Sequence, residues 1–165
     1  MNGGDRIDAE SSLTRIGLIS DTHGLLRPEA VRALRGSDFI IHAGDIGEAR
    51  VLEHLKQIAP VTAVRGNNDR DAWAAAIPET ATLRVHEALI HVVHDIAELD
   101  IDLSSATIHA VVTGHSHRPR IDMREGILYV NPGSAGPRRF RLPVSIAYLL
   151  ISGMEITAQL VQLDV

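Results

Sequence analysis

Histidine and acidic side chains recur in this sequence directly after apolar runs, where they could hold metal ions. Five such runs are each followed by carboxylate, amide or imidazole donors, often beside a glycine. The donors are Asp21, His23, Asp45, Asn67, His94, His115 and His117. These groups are more than one ion needs, but they suit two ions that share a bridging carboxylate. Two ions roughly 3.5–4 Å apart can clamp the attacking and leaving oxygens of a phosphoryl transfer.

Each motif has a plain structural alternative when it stands alone. An Asp-x-His pair often caps a turn, and a Gly-Asp pair is usually only a turn. The run Gly66-Asn67-Asn68-Asp69 could be a hairpin or a helix N-cap. Recurrence at five strand ends in one short chain favours the metal site over accidental turns.

Other candidate residues carry less information. His42 lies inside a predicted strand, so it is expected to be buried, yet close enough to orient a ligand. The pair Arg138-Arg139 could contact a phosphate or form a solvated charge cluster. Surface or satisfied core positions are expected for His54, His86, His91 and His109.

The elements that position these donors alternate between strand and helix at first and are mostly strands later. Strands are predicted over 15–20, 39–43, 61–65, 82–85, 89–93, 110–113, 127–130, 144–151 and 155–165. Helices are predicted over 28–35, 48–59 and 70–77, with one helical turn near Ser104 and a hairpin turn at Ser152-Gly153. Loops that leave the carboxyl ends of neighbouring strands converge, so distant residues can share one ion. We expect one α/β domain over 15–165, after a disordered tail over 1–14.

Composition narrows the functional classes. The chain has no cysteine, which excludes disulfides and thiolate metal sites. A net charge of -5 and five aromatic residues disfavour a nuclease that acts on long nucleic acids. No run has the length of a membrane span, and the N-terminus lacks the apolar core of a signal peptide, so a cytoplasmic protein is expected.

As a set, the motifs resemble the calcineurin-like metallophosphoesterases, and most closely the small bacterial and archaeal phosphodiesterase group that includes the retromer subunit Vps29. They occur in family order, and the run Asn131-Pro-Gly-Ser134 is also typical of the group. The resemblance implies a four-layer α-β-β-α sandwich, in which helices flank two mixed β-sheets and the metals lie at one edge.

The resemblance also implies roles. One metal would be held by Asp21, His23 and His117, and the other by Asn67, His94 and His115. Asp45 would bridge both, which makes Asp45, Asn67 and His94 the catalytic set around an attacking hydroxide. Manganese is the expected ion, and the mixed donor set also permits iron, nickel or zinc.

Two positions depart from the family pattern. Larger relatives have a histidine that protonates the leaving group where this chain has Asn68, and an amide is no general acid. We therefore expect catalysis to rely on the metals and on substrates with good leaving groups, as in the small phosphodiesterase group. Asp95 replaces a usual glycine, and it could either orient His94 or add negative charge near the metals.

The function expected is hydrolysis of a small or nucleotide-like phosphate diester. A phosphomonoesterase and a non-catalytic, Vps29-like protein-binding scaffold are the alternatives. A scaffold is under no chemical demand to keep every ligand, and all seven positions are filled here, so the enzyme is favoured. The final hairpin offers apolar strands that could pair across a homodimer.

Overall fold

A computed structural model describes residues 13–101 and 107–165. Its strands are β1 (Thr14–Ile19), β2 (Phe39–His42), β3 (Val61–Ala63), β4 (Thr80–Val85), β5 (Ala88–Val93), β6 (Ala110–Val112), β7 (Arg120–Arg124), β8 (Ile127–Asn131), β9 (Ser145–Ser152) and β10 (Glu155–Gln162). Its α-helices are α1 (Pro28–Leu34) and α2 (Ala49–Lys56), and short 3-10 helices span Ala72–Ala76 and Ile96–Glu98. The helical turn expected near Ser104, and the predicted tail up to residue 12, lie outside the described residues.

Two mixed five-stranded sheets form the sandwich, as predicted. The first has the order β10-β9-β1-β2-β3, with β1, β2 and β3 parallel and β9 antiparallel to both of its neighbours. The second has the order β4-β5-β6-β8-β7, with β5, β6 and β8 parallel and an antiparallel strand at each edge. Each sheet therefore contains three neighbouring parallel strands, whose carboxyl ends can carry a site.

The core lies between the sheets and beneath the helices. Alternate residues of β1 show the division, because Ile16 and Leu18 face the second sheet while Ile19 packs with the helices. Helices α1 and α2 cover the outer face of the first sheet with residues such as Leu34 and Leu55. The outer face of the second sheet carries a smaller apolar cluster around Val111.

Besides shifted ends of several elements, three details differ from the sequence-based prediction. The final hairpin turns at Gly153-Met154, one residue later than predicted, because Ser152 still pairs with Glu155 and Gly153 supplies the positive φ of 59°. The helix predicted over 70–77 is a 3-10 helix at Ala72–Ala76. Strand β7 was not predicted at all.

No helix in the described part of the chain combines the length and the apolar character that spanning a bilayer requires. Pairing of the final hairpin across a homodimer stays a prediction of the sequence.

Candidate metal centre

The loops after the parallel strands bring all seven predicted donors to one edge of the sandwich. This follows from topology, because both sheets direct the carboxyl ends of their parallel strands to that edge. The first sheet contributes Asp21 and His23 after β1, Asp45 after β2 and Asn67 after β3, and the second contributes His94 after β5 and His115 and His117 after β6.

Backbone strain is concentrated at these donors. Eight non-glycine residues of the described chain have a positive φ, and five of them are predicted ligands. The five are Asp21, His23, Asp45, His115 and His117, with φ between 46° and 67°. The left-handed region costs an ordinary residue about 1–2 kcal/mol, so such strain persists where surrounding structure enforces it, and it clusters at functional sites.

One group of donors surrounds the carboxylate of Asp21. Its Oδ1 lies 3.2 Å from Nε2 of His117 and 3.8 Å from Nε2 of His23. The two imidazole Nε2 atoms are themselves 3.4 Å apart. All three side chains can therefore direct a donor atom at one ion, as the resemblance implies.

The second group surrounds His94. Its Nε2 lies 3.1 Å from Oδ1 of Asn67, which is also 3.1 Å from Nδ1 of His115. Nδ1 of His94 lies 2.7 Å from the carbonyl oxygen of Ala43, which can only accept, so in the neutral ring Nδ1 carries the proton and Nε2 has the lone pair. The ring is thereby oriented for ligation through Nε2.

The carboxylates of Asp45 and Asp21 connect the two groups. Oδ2 of Asp45 is 3.4 Å from Nε2 of His94 and 3.8 Å from Nε2 of His23. Oδ1 of Asp21 is also 3.9 Å from Nε2 of His94. The bridging position assigned to Asp45 is thus accompanied by a second carboxylate that contacts both groups.

The buried oxygen of Asp21 tests whether these residues fit a cation. Asp21 is fully buried, and its Oδ1 has no hydrogen bond of regular geometry with any described residue, Nε2 of His117 at 3.2 Å being a near neighbour. Oδ2 is satisfied by the Ser20 hydroxyl at 2.6 Å and by the amide of His115 at 3.0 Å. A buried acceptor without a donor is costly, and a divalent cation beside three imidazoles would satisfy it. The donor set therefore fits divalent ions.

Charge interactions within the centre keep its carboxylates ionised. Burial raises the pKa of Asp45, but hydrogen bonds from His94 and Asn68 outweigh it and hold the pKa well below its usual range. Burial lowers the pKa of His94, while the carboxylates of Asp45 and Asp21 raise it to about 8. A metal ion bound at Nε2 of His94 would have to displace the second proton, which Nε2 carries below that pKa.

Asp69 connects two of the loops that carry donors through hydrogen bonds from their backbone amides, a role that the sequence did not reveal. Its Oδ2 accepts from the amides of Gly66 at 2.9 Å and Ile46 at 3.1 Å, and its Oδ1 from Gly47 at 3.0 Å. One buried carboxylate thus ties the loop after β3 to the loop after β2.

Two glycines allow the donor loops to lie in close contact with one another. A Cβ on Gly66 would lie 2.2 Å from the backbone nitrogen of Asp45. A Cβ on Gly44, whose φ is 100°, would lie 2.6 Å from Nδ1 of His94. Glycine is required at both positions because the neighbouring donor loop leaves no room for a Cβ atom.

Asn68 and Asp95, the two departures from the family pattern, have clear contacts. Asn68 donates to Asp45 twice, from its backbone nitrogen to Oδ1 and from Nδ2 to Oδ2, both at 2.9 Å. Asp95 Oδ2 lies 3.7 Å from Nε2 of His115. His94 is oriented by Ala43 instead, so the second alternative for Asp95, added negative charge beside the donors, matches its position.

The run Asn131-Pro-Gly-Ser134, which composition identified only as a turn, stabilises two of the loops that carry donors. Nδ2 of Asn131 donates to the carbonyl of Gly114 at 2.8 Å, and the Ser134 hydroxyl donates to the carbonyl of Asp21 at 2.9 Å. These bonds hold the loops after β1 and β6.

The remaining histidines occupy surface or core positions, although the buried Nε2 of His91 has no hydrogen-bond partner among the described residues. His42 is buried, His54 and His86 are exposed, and His91 is a buried residue bonded to the Thr82 hydroxyl. Burial lowers the pKa of His23, and the charge of Arg139 acts in the same direction. Arg139 therefore lies near enough to the centre to influence it.

Comparison with known proteins identifies the family. The model of the calcineurin-like phosphoesterase superfamily domain matches residues 14–154. The chain belongs to this superfamily. A "Probable metallophosphoesterase" from Methanothermobacter thermautotrophicus is 31% identical over 162 residues, which cover 89% of this chain and 91% of that protein.

Solved structures show the same fold at lower identity. Vacuolar protein sorting 29 (Vps29) from Cryptosporidium parvum superposes with a TM-score of 0.79 at 21% identity, over 92% of each chain. An archaeal phosphodiesterase superposes with a TM-score of 0.74 at 21% identity, over 90% of this chain and 100% of that one. The predicted family and its two-sheet sandwich are confirmed. The chain is a member of a family of metal-dependent phosphoesterases.

Proposed function

We propose that this protein is a phosphodiesterase with a dinuclear metal centre, and that manganese is its ion. The observation that carries the proposal is the convergence of seven donors at one edge of the sandwich, among them Asp21, whose buried Oδ1 has no hydrogen bond of regular geometry in the described chain. Two divalent ions held there would activate water and neutralise charge on the phosphoryl oxygens.

The chain's own residues would orient these ions and the ester. Asp21, His23 and His117 offer one set of donors, and Asn67, His94 and His115 offer the other. Asp45 lies between them and is fixed by two hydrogen bonds from Asn68. Ala43 holds the proton of His94 at Nδ1, away from the donor atom.

The charges beside the second group favour a diester over a monoester. A cavity of about 130 Å³ adjoins Asn67 and His115, and among the described residues Glu79, Asp95 and Glu98 line it. Its one arginine, Arg65, is paired with Glu79 at 3.0 Å. A diester carries one negative charge where a monoester dianion carries two, so this acidic surface repels the diester less.

The proposal is tested by hydrolysis of bis-p-nitrophenyl phosphate and of p-nitrophenyl phosphate by metal-free protein reconstituted with Mn²⁺. We expect metal-dependent turnover with a higher kcat/KM for the diester. Asp45→Asn should lose this activity, because it removes the charge between the two donor groups. Asp164→Asn, at an exposed position near the C-terminus, is the control and should keep it.

Two results would redirect the proposal. Preference for the monoester would make the protein a phosphomonoesterase. No turnover with Mn²⁺, Ni²⁺ or Zn²⁺ by folded protein would favour a protein-binding scaffold instead, an alternative that the fold shared with Vps29 supports.

A further inference from the structure

A cavity of about 290 Å³ adjoins the metal centre on the outer side of the second sheet. We name it the arginine cavity. The residues that give it its chemical character are Ile96, Arg118, Arg120, Asp122, Arg124 and Tyr129. Its volume is close to the lower end of the range for small-molecule sites.

The arginine cavity lies directly beside the metal centre. Gly114 and Ser116, which flank His115, both line it. Asp95 lines it as well, and its Oδ2 is 3.7 Å from Nε2 of His115. A diester with its phosphorus at the metal centre could therefore extend one ester arm into this cavity.

The walls of the cavity are cationic in an acidic protein. Arg118, Arg120 and Arg124 face two carboxylates, those of Asp95 and Asp122, whereas the whole chain has a net charge of -5. Strand β7 places three of these residues on one face, because alternate side chains of a strand point the same way. Guanidinium groups suit phosphate, which they can bind through two parallel hydrogen bonds.

Asp122 orients two of these arginines and partly neutralises their positive charge. Its Oδ2 accepts from Arg120 at 3.1 Å and from Arg124 at 2.8 Å. Arg118 has no carboxylate partner within the described residues. Arg118 and the free N–H groups of the other two arginines can therefore bind a phosphate.

The cavity also offers an apolar surface for a planar group. Tyr129 is half-buried, and Ile96 is 44% exposed. The guanidinium carbon of Arg124 lies 5.3 Å from the centre of the Tyr129 ring, so an aromatic and a cation adjoin one another. A nucleobase or a similar ring could pack against this surface.

We infer that the arginine cavity binds the non-reacting half of a nucleotide-type diester that carries a second phosphate. This assignment rests on the proposed function and names its substrate class. The ring of the substrate would contact Tyr129 and Ile96, and the remote phosphate would contact Arg118 and Arg120.

A matched pair of chromogenic diesters tests the inference. Thymidine 5′-(p-nitrophenyl phosphate) and its 3′-phosphorylated form have the same reacting diester and leaving group, and they differ only in the remote phosphate. We expect kcat/KM to be about tenfold higher for the 3′-phosphorylated substrate, the size of one charge-assisted hydrogen bond.

Variants of opposite charge should move this preference in opposite directions. The double variant Arg118→Gln/Arg120→Gln should reduce the ratio of the two kcat/KM values to near one. Asp122→Asn frees two guanidinium groups and should raise the ratio about threefold. Arg32→Gln, an exposed arginine of α1 against the other sheet, is the matched control and should leave the ratio unchanged.

Calorimetric titration of metal-free protein with thymidine 3′,5′-bisphosphate separates failure of this inference from failure of the proposed function. We expect the dissociation constant to rise about tenfold in the double arginine variant. Equal turnover of both substrates by the wild type would overturn the inference and leave the phosphodiesterase intact. If neither substrate is hydrolysed, the proposed function fails, and equal binding by wild type and double variant would then overturn the inference separately.

Discussion

An amide side chain, Asn68, occupies the position at which larger relatives are expected to have a proton-donating histidine, and its contacts indicate what it does instead. Asn68 has no proton to give to a leaving group, but it donates to both oxygens of Asp45. The carboxylate is thereby fixed between His94 and His23. We therefore expect Asn68 to act as a positioning residue for Asp45, the carboxylate that the proposed function places between two metals.

We expect Asn68→Ala to lower kcat for bis-p-nitrophenyl phosphate about tenfold and to raise the Mn²⁺ concentration needed for half-maximal activity. Loss of a group that orients a metal ligand typically costs this much in activity or metal affinity. Steady-state kinetics over a series of Mn²⁺ concentrations would measure both changes. An unchanged metal requirement would show that Asp45 does not need this support.

His42 is the residue whose protonation should matter most for folding. It is fully buried, its Nε2 donates to the Thr22 hydroxyl at 3.0 Å, and its Nδ1 accepts from the amide of Gly44 at 3.1 Å. The Thr22 hydroxyl itself donates to the carbonyl of Ile46, which fixes these roles. A second proton on His42 would face the Gly44 amide, and burial lowers the pKa of His42 to about 4.

This pKa implies a defined loss of stability in acid. Between about 4 and 6.5 the unfolded chain binds a proton at this position and the folded chain does not, so stability falls as pH falls through that window. We expect His42 to account for about 2 kcal/mol of the decrease in unfolding free energy from pH 7 to pH 4.5. Urea unfolding of metal-free protein should show a decrease smaller by that amount in His42→Asn. Equal decreases in both proteins would contradict this assignment.

At the scale of elements, the sequence predicted the strands that carry the donors because those strands are buried. Runs such as Phe39–His42 and Ala110–Val112 are uniformly apolar apart from His42, as strands covered on both faces must be. The donors follow the strands within a few residues, so the sequence alone could place them at one edge of the sheets. The hydrogen bonds of Asp69 and Ser134 could not be predicted in this way, because their partners are backbone groups that only the folded chain brings near.

Strand β7 escaped prediction for the opposite reason. Its sequence alternates charged and apolar residues, but it lies at a sheet edge, and Ile121 and Met123 remain exposed. No burial pattern distinguishes it, and the one available signal is alternation between Pro119 and the Glu125-Gly126 turn. Because β7 supplies the charged face of the arginine cavity, that cavity was also hidden from sequence analysis.

The contact between two donor loops can be tested at Gly66. A Cβ there would lie 2.2 Å from the backbone of Asp45, so we expect Gly66→Ala to displace that loop and to lower kcat about 100-fold. Gly126→Ala is the control, since no atom lies within 4 Å of its Cβ position. Its φ of 79° should cost about 1 kcal/mol of stability and no activity. Equal activities of the two variants would refute the contact.

At the scale of the whole molecule, the two sheets act as two halves of one centre. The first sheet supplies Asp21, His23, Asp45 and Asn67, and the second supplies the other three donors. Neither sheet holds a complete set, so the centre depends on the apolar core between them. A change that separates the two sheets is therefore expected to abolish the activity as well.

Turnover of bis-p-nitrophenyl phosphate as a function of Mn²⁺ bound per chain tests the dinuclear centre most directly. Equilibrium dialysis gives the occupancy, and the rate is measured on the same samples. We expect little turnover up to one ion per chain, a steep rise beyond it and saturation at two, because the two donor groups share Asp45 and Asp21. Full activity at one ion per chain, or activity independent of bound Mn²⁺, would contradict a two-metal phosphodiesterase.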